Sequence, residues 1–278
     1  MTGFGFNILG FGSSAGPPAV EIPTDTLINN LQNRSQISAS TYIGNGGTLI
    51  IPANFWLWST NTTYSTLTVD VDGATIENNG NIVGRGGAAG GSPGGNAINI
   101  TGSGVTIINA SGAYIAGGGG GGRTGNPNGP GGGGAGGGSA SASSPDLGNP
   151  SPNAPDGNWS GYYYSGGRGG GAGGGAGSTA LSPGSGAKGG WVLPGSGSSN
   201  APGYGGYPYG GAGGSAGNQG TQGGASGGRY GAGGGGGWGA NGGSNGQGTT
   251  GGTGGKAIED NGNTYTLSNS GTIYGATT

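Results

Sequence analysis

Histidine and cysteine are both missing from this chain of 278 residues. Without them there is no disulfide framework, no ordinary zinc site and no histidine-based catalytic triad. The lack of cysteine does not fix the compartment, because secreted proteins can lack it too. Charge is scarce as well: seven Lys and Arg against nine Asp and Glu, net −2. No basic stripe is present to neutralise phosphates, so a nucleic-acid partner is not expected. No apolar run approaches the ~20 residues of a membrane span, so membrane insertion is not expected either. Large aliphatic side chains are nearly absent from the middle of the chain. Between Ala116 and Lys256 only Leu147, Leu181, Val192 and Leu193 exceed alanine. No ordinary hydrocarbon core can form there, and neither an enzyme nor a cofactor is implied.

What is present is glycine, 84 residues of it, with 15 prolines. That proportion usually marks low complexity or disorder. Disordered chains, however, are typically rich in solvating charge, which this one lacks. Collagen needs glycine at every third position. Here glycine comes in runs, such as Gly117 to Gly122 and Gly233 to Gly237. A glycine run can instead take the extended helix of three residues per turn, rising ~3.1 Å per residue with no internal hydrogen bonds. Lacking Cβ, such helices approach closely and can bond to one another. Ordering each residue costs about 1–2 kcal/mol and a hydrogen bond returns a net of about 1. Such a slab therefore forms only if nearly every backbone group is paired. The expected fold is irregular and β: a short-stranded β platform plus a sandwich of polyglycine II helices with aromatic connecting loops.

Four regions follow. Residues 1–45 are an attachment arm. Phe4, Phe6, Ile8, Leu9 and Phe11 make it apolar, and Pro23-Thr24-Asp25 can start a short helix carrying Leu27, Ile28 and Leu31. Its start lacks the basic region of a signal peptide, so it is expected in the mature protein. The arm either packs on its own domain or docks into a larger assembly. Residues 46–116 form the β platform. Leu67, Val69 and Val71 alternate with Thr68, Asp70 and Asp72, the period of a half-buried strand. Residues 117–256 are the glycine sandwich and 257–278 return to β. A repeat links these regions. Thr75-Ile-Glu-Asn-Asn-Gly-Asn-Ile-Val-Gly84 resembles both Thr106-Ile-Ile-Asn-Ala-Ser-Gly-Ala-Tyr-Ile-Ala-Gly117 and Tyr265-Thr-Leu-Ser-Asn-Ser-Gly-Thr-Ile-Tyr-Gly275. The glycine excursions that follow the first two close alike, at Gly94-Gly-Asn-Ala-Ile98 and Gly254-Gly-Lys-Ala-Ile258. A matched exit and return implies ordered ends.

Those segments, with Asn79-Gly-Asn-Ile-Val-Gly-Arg-Gly-Gly87 and Gly112-Ala-Tyr-Ile-Ala-Gly-Gly-Gly119, resemble the adhesins at the tips of T-even-type bacteriophage long tail fibres. The resemblance covers about residues 66–278. It implies a sandwich of polyglycine-type helices whose distal loops choose an outer-membrane protein or surface glycan of the host, and a place on the virion. The partner implied at the N-terminal region is a trimeric tail-fibre protein or another virion protein. Residues 1–45 depart from the family's Trp-bearing attachment region. Their start, Gly5-Phe-Asn-Ile-Leu-Gly-Phe-Gly12, is similar to the N-termini of other phage structural proteins.

Aromatic residues interrupt the glycine. Trp159, Tyr162, Tyr163, Tyr164, Trp191, Tyr204, Tyr207, Tyr209 and Trp238 either lid the slab or form a receptor-binding surface of the Tyr, Ser and Gly composition used by antibody loops. Three consecutive tyrosines cannot all face one slab. The competing function is a structural virion protein whose aromatics contact other subunits. Asp146 and Asp156 would serve as a glycosidase pair only if placed across a sugar. Asp70 and Asp72 share a strand face but lack the Ca²⁺ β-roll repeat. Solvated charge is the simpler expectation for all four.

Overall fold

The computed structural model describes residues 17–22, 27–28, 31–53, 55–59, 61–88, 90–125, 134, 211, 213–226 and 229–278. Short strands dominate, and among the described residues the sole helical element is a 3-10 turn at Ala39–Thr41. The strands recur in a fixed cycle. The first turn comprises β1 (Val20–Glu21), β2 (Leu27–Ile28), β3 (Leu31–Ser35) and β4 (Ile37–Ser38). The second comprises β5 (Thr48–Ile51), β6 (Phe55–Trp58) and β7 (Leu67–Val69), and the third β8 (Thr75–Asn78), β9 (Asn81–Val83) and β10 (Ile98–Ile100). The fourth starts with β11 (Val105–Asn109) and β12 (Tyr114–Ala116). After a small hairpin, β13 (Ala225–Ser226) and β14 (Arg229–Tyr230), it closes only at β15 (Ile258–Glu259). A fifth turn adds β16 (Tyr265–Asn269) and β17 (Thr272–Tyr274).

Pairing between turns is parallel throughout. Three sheets result: β1-β5-β8-β11-β16, β2-β3-β6-β9-β12-β17 and β4-β7-β10-β15. They are the three walls of a parallel β-solenoid, in which each turn buries its apolar side chains against its neighbours. One core runs down the middle. Leu49, Ile76 and Ile107 enter it from the first sheet, Leu57, Ile82 and Ile115 from the second, and Leu67, Ile98 and Ile258 from the third. β-Branched residues suit these half-buried positions. The corner from the third sheet to the first turns on a left-handed glycine each time: Gly46, Gly73, Gly104 and Gly262 all have positive φ, a conformation that a side chain would strain.

The repeat seen in the sequence is the solenoid turn itself. Thr75, Thr106 and Thr266 stand in register, as do Ile82, Ile115 and Ile273. Asn78, Asn109 and Asn269 form a ladder. The Asn78 amide donates to the Asn109 carbonyl at 2.8 Å, and the Asn109 amide donates to Asn269, also at 2.8 Å. Asn78 and Asn109 are buried. A buried amide left without its partner costs about 1–3 kcal/mol, so the ladder specifies register as well as stability.

The first turn corrects two expectations. A helix over Leu27, Ile28 and Leu31 does not form: β2 and β3 pair antiparallel, and β3 lies parallel on β6. Nucleating a short helix is costly, whereas β6 offers a ready row of backbone partners. The β region also begins at Val20, upstream of residue 46. Residues 1–16, with Phe4, Phe6, Ile8, Leu9 and Phe11, lie outside the described residues.

Asp70 and Asp72 each staple one turn to another. Asp70 accepts from the amide (2.9 Å) and hydroxyl (2.6 Å) of Ser40. Asp72 accepts from the amide (2.8 Å) and hydroxyl (2.9 Å) of Ser103. Desolvation pushes the Asp70 carboxyl up, but the two Ser40 bonds outweigh it and hold the group below its ordinary value. The amide and then the hydroxyl of Ser103 do the same for Asp72. Both folded values are depressed, so this stabilisation is complete above the unfolded carboxyl value of about 3.9 and disappears as pH falls through the lower folded values. A Ser40→Ala/Ser103→Ala variant should therefore melt below the parent at neutral pH. Melting curves should converge once pH drops below the ordinary carboxylate range.

Candidate functional site

The four connections from the second sheet to the third grow along the solenoid. They are Gln36 alone, then 59–66, then 84–97, then 117–257. The other two corners show no such growth, and the longest of them from the third sheet to the first, 39–47, belongs to the first turn. Everything large that the chain builds therefore leaves from one edge.

The described parts of the last two connections are glycine passes that bond side to side. Gly84, Gly87 and Gly90 donate to Ala116, Gly119 and Gly122. Gly118 and Gly121 donate to Gly95 and Ser92, and Gly252 and Gly255 to Gly121 and Gly118. Gly233, Gly236 and Gly239 donate to Arg123, Gly120 and Gly117, while Gly120 and Arg123 donate to Ala240 and Gly243. The pass 117–123 is thus bonded to passes 84–90, 91–97, 231–239, 240–246 and 249–256. Gly134 adds a further contact, its amide on Gly87. Bonds recur at every third residue in each pair. Gly117 to Gly122 are buried although they have no side chain to bury. A methyl on Gly118 would overlap the carbonyl of Arg85, and one on Gly120 the carbonyl of Gly252.

The passes alternate in direction, which defines two ends. At the near end Gly117 donates to Tyr274 of β17, Gly239 to Gly117, and Gly217 sits against the Tyr274 ring. At the far end lie the turn at 90–91, Thr124, Gly211, the hairpin β13–β14 with half-buried Tyr230, and the turn 245–249. Asn245 ties that end together. It is buried, its amide donates to the Thr124 carbonyl at 3.0 Å, and its own carbonyl accepts from the Gln247 and Thr249 amides at 3.2 and 2.9 Å. The Arg123 guanidinium packs on the 90–91 turn, with Nη1 3.4 Å from the Gly90 carbonyl.

Trp159, Tyr162, Tyr163, Tyr164, Trp191, Tyr204, Tyr207 and Tyr209 lie outside the described residues. So do Asp146 and Asp156. The described residues on either side are Gly125 and Gly211, both at the far end of the passes, with Gly134 lying between them in sequence against Gly87 and Gly119.

Trp238 is placed elsewhere and is a correction. It is 1% exposed, at the near end, against the outer face of the second sheet. Its ring lies 6.3 Å from Trp56, 6.0 Å from Tyr114 and 6.1 Å from Tyr274, centre to centre. Trp58, Val83 and Ala116 complete the seam between solenoid and passes. No receptor can reach an indole packed this way. A signal for the seam existed in Phe55-Trp-Leu-Trp58, where all four side chains are buried. A strand without polar alternation is covered on both faces.

Among the described residues, a parallel β-solenoid thus carries glycine passes that end in turns and a hairpin away from it. The chain belongs to the phage tail fibre adhesin Gp38 family, whose profile matches residues 19–178, more than half of its length. It is therefore a bacteriophage virion protein of the tail fibre, with a role in host recognition, and it associates with other tail fibre proteins and with the host surface. The match spans the first three turns and the opening strands of the fourth, β11 and β12, and ends inside the segment between Gly125 and Gly211. No curated protein and no solved structure matches.

Proposed function

We propose that the chain is the receptor-binding tip of its fibre, with the aromatic segment between Gly125 and Gly211 as the host-contacting surface. The observation that supports this is positional: Gly125, where the chain sets out towards that segment, and Gly211, where it is described again after it, both lie at the end of the passes away from the solenoid. Trp159, Tyr162, Tyr163, Tyr164, Trp191, Tyr204, Tyr207 and Tyr209 are the contact residues in this proposal. Large, stiff, amphipathic rings on glycine-rich loops give contact area at low entropic cost. The target is an outer-membrane protein or a surface glycan of the host.

In the same proposal the passes are polyglycine II helices packed as a sandwich. Bonding at every third residue supports this, because that helix has three residues per turn. A pass of six to eight residues then reaches roughly 20–25 Å from the solenoid edge. Residues 1–16, led by Phe4, Phe6, Ile8, Leu9 and Phe11, precede the first turn and dock on a trimeric fibre protein or another virion protein.

The test uses purified full-length protein with Tyr162, Tyr163 and Tyr164 changed to Ser, and separately with Tyr204, Tyr207 and Tyr209 changed to Ser. At least one variant is expected to stop blocking phage adsorption to whole bacteria while keeping the parent's melting temperature. Undiminished blocking by both would refute the proposal and favour a purely structural role in the particle.

A further inference from the structure

A polar groove stands on the solenoid wall, apart from the far end of the passes. In the third sheet Ser38, Thr68, Asn99 and Glu259 occupy one register position in four successive turns. All four are partly exposed, so they form an outward ladder with a spacing of about 4.8 Å per turn. This ladder floors an open groove of about 480 Å³, within the range of small-ligand sites.

One rim is the connection 59–66. Thr63, Tyr64 and Ser65 line the groove from there. Tyr64 is 57% exposed, one of two large apolar side chains left open to solvent among the described residues. Its loop is nonetheless held. Ser59 is fully buried. Its hydroxyl donates to the Asn61 carbonyl at 2.7 Å, lies 3.1 Å from the Tyr64 carbonyl, which can share that proton, and accepts from the Asn61 amide at 3.2 Å. The Thr63 amide donates to the Asn61 side chain at 2.9 Å. Behind the loop, the Thr66 hydroxyl donates to the Val83 carbonyl at 2.8 Å. The backbone that carries the exposed ring is thus held before any ligand arrives.

The polar lining is also ordered. The Asn99 carbonyl accepts from the Asn261 amide at 2.7 Å, and the Asn96 carbonyl accepts from the Lys256 backbone at 2.8 Å. Each planar amide is oriented by its oxygen. The carboxylate of Glu259 is neutralised by Lys256, 2.8 Å away. The groove therefore offers hydroxyls, oriented amides and one planar ring, with no net charge. A phosphate finds no unpaired cation there. An apolar peptide finds only Ile37 and the Tyr64 ring.

We propose that this groove binds a neutral oligosaccharide, with Tyr64 stacking on one sugar ring and the Thr68–Asn99–Glu259 ladder taking hydroxyls along the chain. Aromatic stacking on an apolar ring face, combined with planar side chains at hydroxyl height, matches sugar chemistry on both counts. Ser59 is a positioning residue that sets the Tyr64 loop.

Saturation-transfer NMR on the full-length protein tests this with maltotriose, cellotriose, chitotriose and mannotriose at millimolar concentration, and with inorganic phosphate as a control. At least one trisaccharide is expected to receive saturation. Tyr64→Ala should weaken its titrated affinity at least about tenfold, as loss of an aromatic anchor does, and Thr68→Val should weaken it less. Both variants should keep the parent's melting temperature and its blocking of phage adsorption through the far end. The proposal is overturned if no trisaccharide receives saturation, if phosphate competes the sugar away, or if affinity survives both substitutions.

Discussion

Gly120→Ala is expected to destabilise the protein by at least the upper part of the about 1–3 kcal/mol seen for overpacked cores. The added methyl would meet the carbonyl oxygens of Gly252 and Thr253, and neither is the free end of a side chain that could swing away. Relief would require moving the pass 249–256, which breaks the bonds of Gly252 and Gly255 to Gly121 and Gly118. The same methyl placed at Gly44 meets nothing within 4 Å. Gly44 also lacks a positive φ, so Gly44→Ala should be neutral or stabilise by about 0.4–1 kcal/mol through the unfolded chain. Denaturant melts of the pair measure the contrast. Equal stabilities for the two variants would mean that Gly120 is not tightly enclosed. The glycine content of the passes would then have no steric reason.

The second large effect is expected at the seam. Trp238→Ala should cost about 3–5 kcal/mol, the range for emptying a buried large aromatic site. It removes the centre of the contacts among Trp56, Tyr114 and Tyr274, and with it most of the side-chain packing between the passes and the second sheet. Trp238→Phe should cost far less than the alanine variant. The indole nitrogen of Trp238 is buried with no protein partner, so phenylalanine gives up packing volume but no hydrogen bond. Tryptophan fluorescence and thermal melts of the two variants would show the order. A phenylalanine variant as unstable as the alanine one would place a polar role on the indole.

The sequence made the repeating turn visible because its ladders are chemically distinct. Thr75, Thr106 and Thr266 introduce equivalent strands, and Asn78, Asn109 and Asn269 mark one corner. The matched returns were legible for the same reason: Ile98 and Ile258 are register partners, and Ala97 and Ile98 donate to Lys256 and Ala257 at 3.0 Å. The first turn was not legible. Leu31-Gln-Asn-Arg-Ser35 has no alternation of its own, and its strand conformation comes from lying on β6. Closure into three walls was hidden as well, since strands of two to five residues reveal their partners only through pairing. Trp238 was misassigned because an indole between glycines looks the same in sequence whether it faces solvent or a tryptophan on another strand. The groove on the third sheet was missed because Ser38, Thr68, Asn99 and Glu259 are far apart in sequence and become a row only when the turns stack.

The placement of β15 sets an order of assembly. The third sheet gains its last strand only after the chain has travelled from Ala116 to Ile258, so that strand cannot arrive until the passes have brought it back. Closing so long a loop is slow, since its entropy must be met before the contacts form. Until then β10, β11 and β12 are the growing edge of the solenoid, with unpaired backbone in Ile98–Ile100, Val105–Asn109 and Tyr114–Ala116. Such an edge is a template for another chain. Substitutions that disturb the passes should consequently appear first as aggregation during synthesis, before any loss of host recognition can be measured.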